Sequence, residues 1–252
     1  MREIRYIKVI GTGIPFMSSV NGVPLVWDYQ GNGIEVCLPI DRWLMQNGNT
    51  WTIDVLGSPS STRKARLYAE VFLADSSSET PIVDVSYGRI NWSGDQEWVP
   101  VIAKPILMDH LPACTLWRLA LPISELSRQD RNDMLAIIEQ LRQAVLAGEA
   151  EDAYELQSFR FEEDARVEGK KESRIREVVI EQYRWLQSWG KLESTPLHES
   201  DASFSIVANS LLVHVQRDTR SMPIVIEAQE LGRTIAIDVF FARIGRKWII
   251  AR

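Results

Sequence analysis

The chain has 252 residues, of which 45% are hydrophobic and 25% charged, and its formal net charge is −6. These values are typical of a soluble folded protein with one large or two modest domains. They disfavour general nucleic-acid binding, which draws most of its affinity from a basic surface, because the basic clusters, such as Arg63–Arg66, are short. No stretch approaches the roughly 18 apolar residues of a membrane span, and the N-terminus lacks a signal-peptide pattern. The sequence predicts a cytoplasmic protein with neither nucleic-acid nor membrane partners.

The first half of the chain alternates apolar and polar residues with period two, which is typical of half-buried strands. Turns rich in Gly, Ser, Asn and Pro separate the strands. We therefore predict an antiparallel β-sandwich over residues 1–124. Beyond an initial strand at Ile4–Val9, the predicted strands are Ile34–Pro39, Thr50–Leu56, Arg66–Ala74, Ile82–Tyr87, Val99–Ile106 and Leu116–Leu121.

Two turns in this half carry a more specific pattern. Val20–Leu25 contains an Asn-Gly turn, and Leu44–Ile53 contains a G-x-N turn followed by a strand. The pair resembles accessory β-sandwich modules, some of which bind carbohydrate. Exposed aromatic rings could stack on a sugar, although a place in the core is the favoured interpretation for most of them. The candidates are Trp27, Trp43, Trp51, Trp92 and Trp98, with Trp92 in a turn as the best candidate for exposure.

The middle of the chain is predicted to be helical. Ser127 and Asp130 have the spacing of a capping box. An apolar stripe follows, and Gly148 is a natural stop. A second helix is predicted from Glu149 to Glu168, and a third from Lys170 or Ser173 to Trp189. The stripe of the first helix consists of Met134, Ile138, Leu141 and Val145.

The predicted second helix carries eight acidic residues and two arginines, a local charge of −6. Such a run is most often a solvated helix face. The alternative is a surface that attracts a basic partner, with aromatic anchors among the charges. Adjacent helical carboxylates point in different directions and no His is nearby, so we predict neither a metal site nor a cofactor. The predicted partner-binding residues are Tyr154, Phe159, Phe161, Glu162, Glu163, Asp164 and Glu168.

The chain closes with strands joined by short turns, which together with the preceding helices predicts an α+β domain over residues 125–252. The ending Ile235–Ile250, with its Gly-containing turn and K-W-x-I strand, resembles the final hairpin of NTF2-like domains. This resemblance implies a cone-shaped α+β fold. It does not select a function, because that fold includes enzymes, binding modules and dimerisation modules.

His214 and Asp238 lie on predicted neighbouring strands and could form an acid–base pair inside such a cone. The favoured interpretation places His214 on a solvated outer face of the sheet. The sequence contains no G-x-S-x-G, H-E-x-x-H or P-loop motif. Cys37 and Cys114 are predicted to be buried, reduced thiols because their neighbours are apolar.

A small acidic chain with an acidic, aromatic-flanked helix is similar in character to bacterial immunity proteins that neutralise secreted toxins, including those of type VI secretion loci. The resemblance implies a non-catalytic protein whose partner is a cognate toxin with a basic surface, typically a nuclease. A small-molecule- or carbohydrate-binding protein, or an NTF2-like enzyme with a pocket near His214, is the alternative. A third interpretation is a structural protein that forms a homodimer.

Overall fold

The computed structural model describes residues 3–45, 48–59, 64–75, 85–94, 104–106, 114–217 and 221–252. The chain divides into two compact units, residues 1–112 and 113–252. The sequence placed this boundary after residue 124. The difference arises because the N–H of Leu121 donates to the carbonyl of Arg243 (2.8 Å) and that of Ile123 to the carbonyl of Ser210 (2.7 Å), which joins this segment to the second unit.

The first unit is built from two antiparallel sheets, with strand orders β4-β1-β6-β7 and β3-β2-β5-β8. Buried apolar side chains from both sheets form one shared core, so the predicted sandwich is confirmed. The predicted strands at Ile82–Tyr87 and Val99–Ile106 lie partly outside the described residues, and Trp98 lies wholly outside them. The strands are β1 Glu3–Thr12, β2 Phe16–Val20, β3 Val23–Asp28, β4 Ile34–Pro39, β5 Thr50–Val55, β6 Arg66–Asp75, β7 Val85–Ser93 and β8 Lys104–Pro105.

Burial in β1 alternates as the sequence predicts, with Ile7 and Val9 fully buried between half-exposed neighbours. Among the described tryptophans of this unit, Trp51 and Trp92 are buried, whereas Trp27 and Trp43 are half-buried. Trp51 is fully buried, and its indole N–H donates to Ser18 Oγ at 2.9 Å. The expectation that Trp92 is exposed is wrong, because Trp92 lies on β7 with only 7% of its surface accessible and packs in the shared core.

The two asparagine-containing turns of this unit are joined by a hydrogen bond between buried side chains. Asn21 Nδ2 donates to Asn49 Oδ1 (2.8 Å) and to the carbonyl of Trp43 (2.8 Å). Asn21 Oδ1 accepts from the N–H of Thr50 (3.0 Å). Asn49 Oδ1 also accepts from the N–H of Met45 (2.7 Å). These bonds fix the turn after β2 against the start of β5 and satisfy polar groups that burial would otherwise destabilise.

The second unit is an α+β arrangement, as predicted, with helices that precede antiparallel strands. Its sheets have the orders β10-β11-β14-β15 and β13-β12-β9. The helices are α1 Leu116–Leu119, α2 Arg128–Ala147, α3 Ala150–Glu155, α4 Ser158–Glu168 and α5 Glu172–Gln187. The strands are β9 Leu192–Glu193, β10 Ala202–Val207, β11 Leu212–Arg217, β12 Ile224–Ala228, β13 Arg233–Ile237, β14 Val239–Ile244 and β15 Lys247–Ile250.

Helix α2 begins and ends where the sequence predicts. The Ser127 hydroxyl oxygen accepts from the N–H of Asp130, whose carboxylate accepts from the N–H of Ser127, and Gly148 closes the helix in the left-handed conformation (φ 78°). The predicted apolar stripe is 2% exposed or less at every position and packs against the sheet. None of the helices in the described part of the chain is long and apolar enough to cross a membrane.

Two predicted elements differ from the structure. Leu116–Leu121 was predicted as a strand, but Leu116–Leu119 forms the short helix α1, since a brief apolar run does not distinguish strand from helix. The single helix predicted over Glu149–Glu168 is interrupted at Leu156 and Gln157. Gln157 is 1% exposed, and its Nε2 donates to the carbonyl of Ala153 and to the hydroxyl of Tyr183.

The strands β13 and β14 are consecutive and are separated only by Asp238. β12 pairs with β13 and β11 pairs with β14, with registers Ile224↔Ile237 and Val215↔Val239. Residues 218–223 lie between β11 and β12, whereas Asp238 alone lies between β13 and β14. β13 and β14 belong to different sheets, and Asp238 joins them.

Candidate functional site

Glu163, which the sequence places on a partner-facing helix surface, is fully buried. Its carboxylate accepts hydrogen bonds from the Cys114 thiol (2.9 Å), the Thr115 hydroxyl (2.6 Å) and the N–H of Leu116 (2.9 Å). Arg166 Nη1 donates to the same group at 2.5 Å. Glu163 therefore holds the start of α1 against α4, and its assignment to a partner-binding surface is wrong.

The charge of Glu163 is stabilised by this network. Burial raises the pKa of the carboxyl group, but the hydrogen bonds from Cys114, Thr115, Leu116 and Arg166 together lower it by more. The pKa of Glu163 is therefore below its ordinary value. The group carries an ionised, fully paired charge in the interior, which is the condition under which burial of a carboxylate is tolerated.

Two other predicted partner-binding residues are also inaccessible. Asp164 is 8% exposed and lies 4.0 Å from the guanidinium of Arg252. Tyr154 is 5% exposed and stacks on Phe161, with 5.5 Å between the ring centroids. Their assignment to a partner surface is corrected because Tyr154 on α3 and Asp164 on α4 face neighbouring elements instead of a solvated surface.

The remaining predicted residues of this set are partly accessible. Glu162 pairs with Arg166 at 3.5 Å, and Glu168 pairs with Lys170 at 2.6 Å. Phe159 and Phe161 are half-buried. Glu162, Glu168 and the two phenylalanines therefore keep the exposure that a contact with a partner requires.

Two concave surfaces lie near the break between α3 and α4. The first, here called the acidic cleft, has a volume of about 590 Å³ between α2 and α3. Its carboxylates belong to Glu139, Glu149, Asp152 and Glu155. Glu139 is paired with Arg142 at 2.6 Å and Glu155 with Arg176 at 3.8 Å. The carboxylates Glu149, Asp152 and Glu155 of this cleft thus lie before Glu162, at which the predicted acidic partner surface begins.

The second, here called the edge groove, has a volume of about 520 Å³ between the helices α4 and α5 and the strand β13. Its walls include Arg160 and Phe161 of α4, Tyr183 and Trp185 of α5, and the strand segment Ile235–Asp238. Trp185 is 53% exposed, whereas its neighbour Trp189, in edge-to-face contact at 4.9 Å, is buried. The groove combines an apolar wall with a few polar groups, as binding sites commonly do.

The edge groove runs along the edge of β13. Successive side chains of a strand point to opposite faces of its sheet. Four consecutive residues, Ile235–Asp238, can all line one groove only if it follows the strand's backbone edge. The opposite edge of β13 pairs with β12.

His214 and Asp238 are brought together at this groove. His214 Nε2 lies 2.8 Å from Asp238 Oδ1, and the His214 ring stacks on Phe240 with 4.1 Å between centroids. His214 is 1% exposed, so the prediction that it lies on a solvated face is wrong. Asp238 lines the groove, whereas His214 lies behind it and holds the carboxylate in place. The N–H of Val239 also donates to Oδ1, at 3.0 Å.

Cys114 provides a test of the buried network around Glu163. Burial raises the pKa of its thiol to about 11, despite the opposing effect of Arg252. At pH 8 roughly one thousandth of this group is thiolate, the reactive form. We expect iodoacetamide to modify Cys37, which is exposed rather than buried as predicted, and to leave Cys114 unmodified until urea unfolds the protein. Mass spectrometry of peptides checks this, and rapid modification of Cys114 in the folded protein would contradict it.

Among the described residues no group of three or more His, Cys, Asp or Glu side chains could hold a metal ion. The loop His110 lies outside the described residues, and His198 is exposed. Comparison of the chain with protein-family models, with curated proteins and with solved structures gives no match.

Several residues of the edge groove were not predicted from the sequence. In the sequence of the third helix, an apolar stripe runs through Ile175, Val179, Leu186 and Trp189, and Trp185 was not predicted because it lies off this stripe. An aromatic residue outside the stripe of an amphipathic helix is a usable signal for an exposed ring. Arg160 and Tyr183 carry no comparable signal, since their positions depend on how α4 and α5 pack.

Proposed function

We propose that this chain is a non-catalytic protein-binding protein that neutralises a basic toxin by direct contact, in the manner of bacterial immunity proteins. The proposal is carried by the exposed Trp185 on the rim of the edge groove. Exposed aromatic rings beside a groove are the commonest anchors of protein interfaces, because they bury a large area with little loss of conformational entropy.

The acidic cleft supports a basic partner. Glu149 and Asp152 lie exposed in this cleft and can attract a positively charged surface. Glu162 adds a partly exposed carboxylate on α4. The aromatic anchor and the exposed carboxylates lie on helices that pack against one another, since α3 contacts both α2 and α5. One partner could therefore contact the cleft and the groove.

The buried position of His214 does not favour acid–base catalysis by this residue at the groove. His214 is 1% exposed, and its Nε2 is already bonded to Asp238. General acid–base catalysis needs a group within hydrogen-bond reach of the substrate. In the described part of the chain, Asp238 is the member of this pair that reaches the groove.

The proposal predicts that Trp185→Ala weakens binding of the partner roughly 30-fold, because removal of a central aromatic anchor costs about 2 kcal/mol. Asp152→Lys should also weaken binding. Its effect should be larger at low salt than at high salt, because salt screens the interactions between exposed charges. Leu121→Ala is the matched control, because Leu121 is 44% exposed and lies outside the groove, and it should change the affinity less than twofold.

The candidate partner for this experiment is the product of the gene adjacent to the gene of this chain. Isothermal titration calorimetry measures the affinity, and growth of cells that express both proteins measures neutralisation. The proposal fails if the two proteins do not bind, or if Trp185→Ala and Asp152→Lys together leave growth protection intact.

A small-molecule- or carbohydrate-binding protein is the second candidate, and the observation that favours it is the His214–Asp238 contact at the groove wall. A sugar could stack on Trp185 while Asp238 accepts from its hydroxyl groups. Titration of the ¹⁵N-labelled chain with free monosaccharides tests this candidate. A shift of the Trp185 indole signal that Asp238→Asn abolishes would favour it over the protein-binding role.

A further inference from the structure

The free edge of β13 suggests how the partner binds, and this inference rests on the proposed function for the basic character of the partner. In the sheet β13-β12-β9, β13 is the outer strand. An outer strand presents unpaired N–H and C=O groups along one edge. Here that edge opens into the edge groove rather than directly to bulk solvent.

The direction of the backbone groups follows from two neighbouring residues. The N–H of Phe240 donates to the carbonyl of Arg252 (2.9 Å), on the side away from β11. The carbonyl of Asp238 accepts from Arg160 at 3.4 Å, on the side of α4. Because alternate residues of a strand direct their backbone groups to the same edge, Ala236 presents its own to the groove, and Thr234 presents its own to the same edge just beyond the groove.

The free part of this edge is short and has defined ends. At one end, Arg160 donates a hydrogen bond to the carbonyl of Asp238. At the other end the guanidinium of Arg233 lies over the ring of Trp189, 5.2 Å from its centroid. Four residues, 234–237, remain between them. An extended chain rises about 3.3 Å per residue, so a segment of roughly four residues matches this length.

We propose that an extended segment of the partner adds to β13 as a further strand in the edge groove, with an apolar side chain against Trp185 and a basic side chain near Asp238. Backbone hydrogen bonds to Thr234 and Ala236 supply the pairing, as in other complexes formed by strand addition. Trp185 and Tyr183 form the apolar wall opposite the strand edge.

The carboxylate of Asp238 favours a basic side chain beside it, although Arg160 also lines the groove. Asp238 Oδ1 is occupied by His214 and the N–H of Val239, but within the described residues no donor contacts Oδ2. About a quarter of the Asp238 side chain is exposed (24%). A lysine of the segment can therefore pair with this oxygen. A second copy of the chain fits less well, because its own α4 and α5 accompany its β13 and would enter the same space.

Hydrogen exchange of the full ¹⁵N-labelled chain tests the inference. The probe is a six-residue peptide of alternating lysine and valine, blocked at both ends. The control peptide has the same side chains but is methylated on every backbone nitrogen. We expect the first peptide to slow exchange of the Thr234 and Ala236 amides at least tenfold and the control to leave both rates unchanged.

Unchanged rates at millimolar peptide, or equal slowing by the methylated control, would overturn the inference. Exchange that slows without peptide as the concentration of the chain rises would also overturn the inference, because it indicates that a second copy of the chain binds at this edge. In the variant Ala236→Pro, which lacks the N–H, peptide affinity measured by isothermal titration calorimetry should fall at least tenfold, whereas Ala236→Ser should retain it.

The same measurement separates this inference from the proposed function. If the toxin binds and Trp185→Ala weakens it, but the Thr234 and Ala236 amides are unprotected in the complex, strand addition is wrong and the function stands. If no basic partner binds while the peptide protects both amides, the proposed function is wrong and the strand-addition site stands.

Discussion

Replacing Glu163 with alanine should lower the free energy of unfolding by about 3–5 kcal/mol, the range observed when one partner of a buried ion pair is removed. The substitution leaves the N–H of Leu116, the hydroxyl of Thr115 and the guanidinium of Arg166 without the acceptor that they now share. Urea denaturation followed by far-ultraviolet circular dichroism measures the change, because the long helices belong to the second unit.

Two further variants give this measurement its control. Glu162→Gln alters the neighbouring carboxylate, which is partly exposed and forms a 3.5 Å pair, so it should change stability by about 0.5 kcal/mol or less. Glu163→Gln retains the shape of the side chain but loses its charge. We expect its loss of stability to lie between those of Glu163→Ala and Glu162→Gln. If Glu163→Ala and Glu162→Gln have equal effects, the buried network contributes nothing specific.

The lowered pKa of Glu163 gives the effect a pH dependence of known sign. A carboxyl group whose pKa is lower in the folded than in the unfolded protein contributes stability above its unfolded pKa, and this contribution is lost as the pH falls towards the folded value. The stability difference between the wild type and Glu163→Gln should therefore be constant near neutral pH and shrink below the ordinary value of 4.5. A difference that grows on acidification would contradict this assignment.

Replacing Asn21 with alanine should destabilise the first unit by about 3 kcal/mol. The change removes the acceptor of the Thr50 N–H and a donor to both the Trp43 carbonyl and Asn49 Oδ1, at about 1–3 kcal/mol for each group that water cannot reach. It also places alanine at a left-handed position (φ 54°), which asparagine tolerates better.

Amide hydrogen exchange of β2 and β5 measures this effect without interference from the second unit. The matched control is Asn91→Ala, because Asn91 is exposed on β7 of the same unit and should change stability by about 0.5 kcal/mol or less. If both variants exchange at the wild-type rate, the two turns are held by other contacts.

The predictions that the structure confirms depend on residues that lie close together in the sequence. The capping box at Ser127, the apolar stripe of α2 and Gly148 all act within a few residues of one another. Alternation along β1 predicted its buried face for the same reason. The α+β arrangement follows from the order of such elements, whereas the NTF2-like resemblance stays a prediction because no comparison tests it.

The predictions that failed depended on distant partners. Glu163 was assigned to the surface because charged residues usually are, yet Thr115 and Leu116, 48 and 47 residues earlier, supply its hydrogen bonds. His214 was assigned to an outer face because its strand neighbours alternate, but Asp238 and Phe240 cover it. The residues that contact Glu163 and His214 cannot be identified from spacing along one strand or helix.

The contact between Arg252 and Cys114 joins residues 138 positions apart, at 2.9 Å. During synthesis the second unit therefore cannot acquire this contact until residue 252 has left the ribosome, whereas the residues of the first unit are all available much earlier. For an interval the first unit is folded while α4 lacks its partner from the last strand. Asp164 lacks its contact with Arg252 in that interval, whereas the residues that bond to Glu163, namely Thr115, Leu116 and Arg166, have already been synthesised.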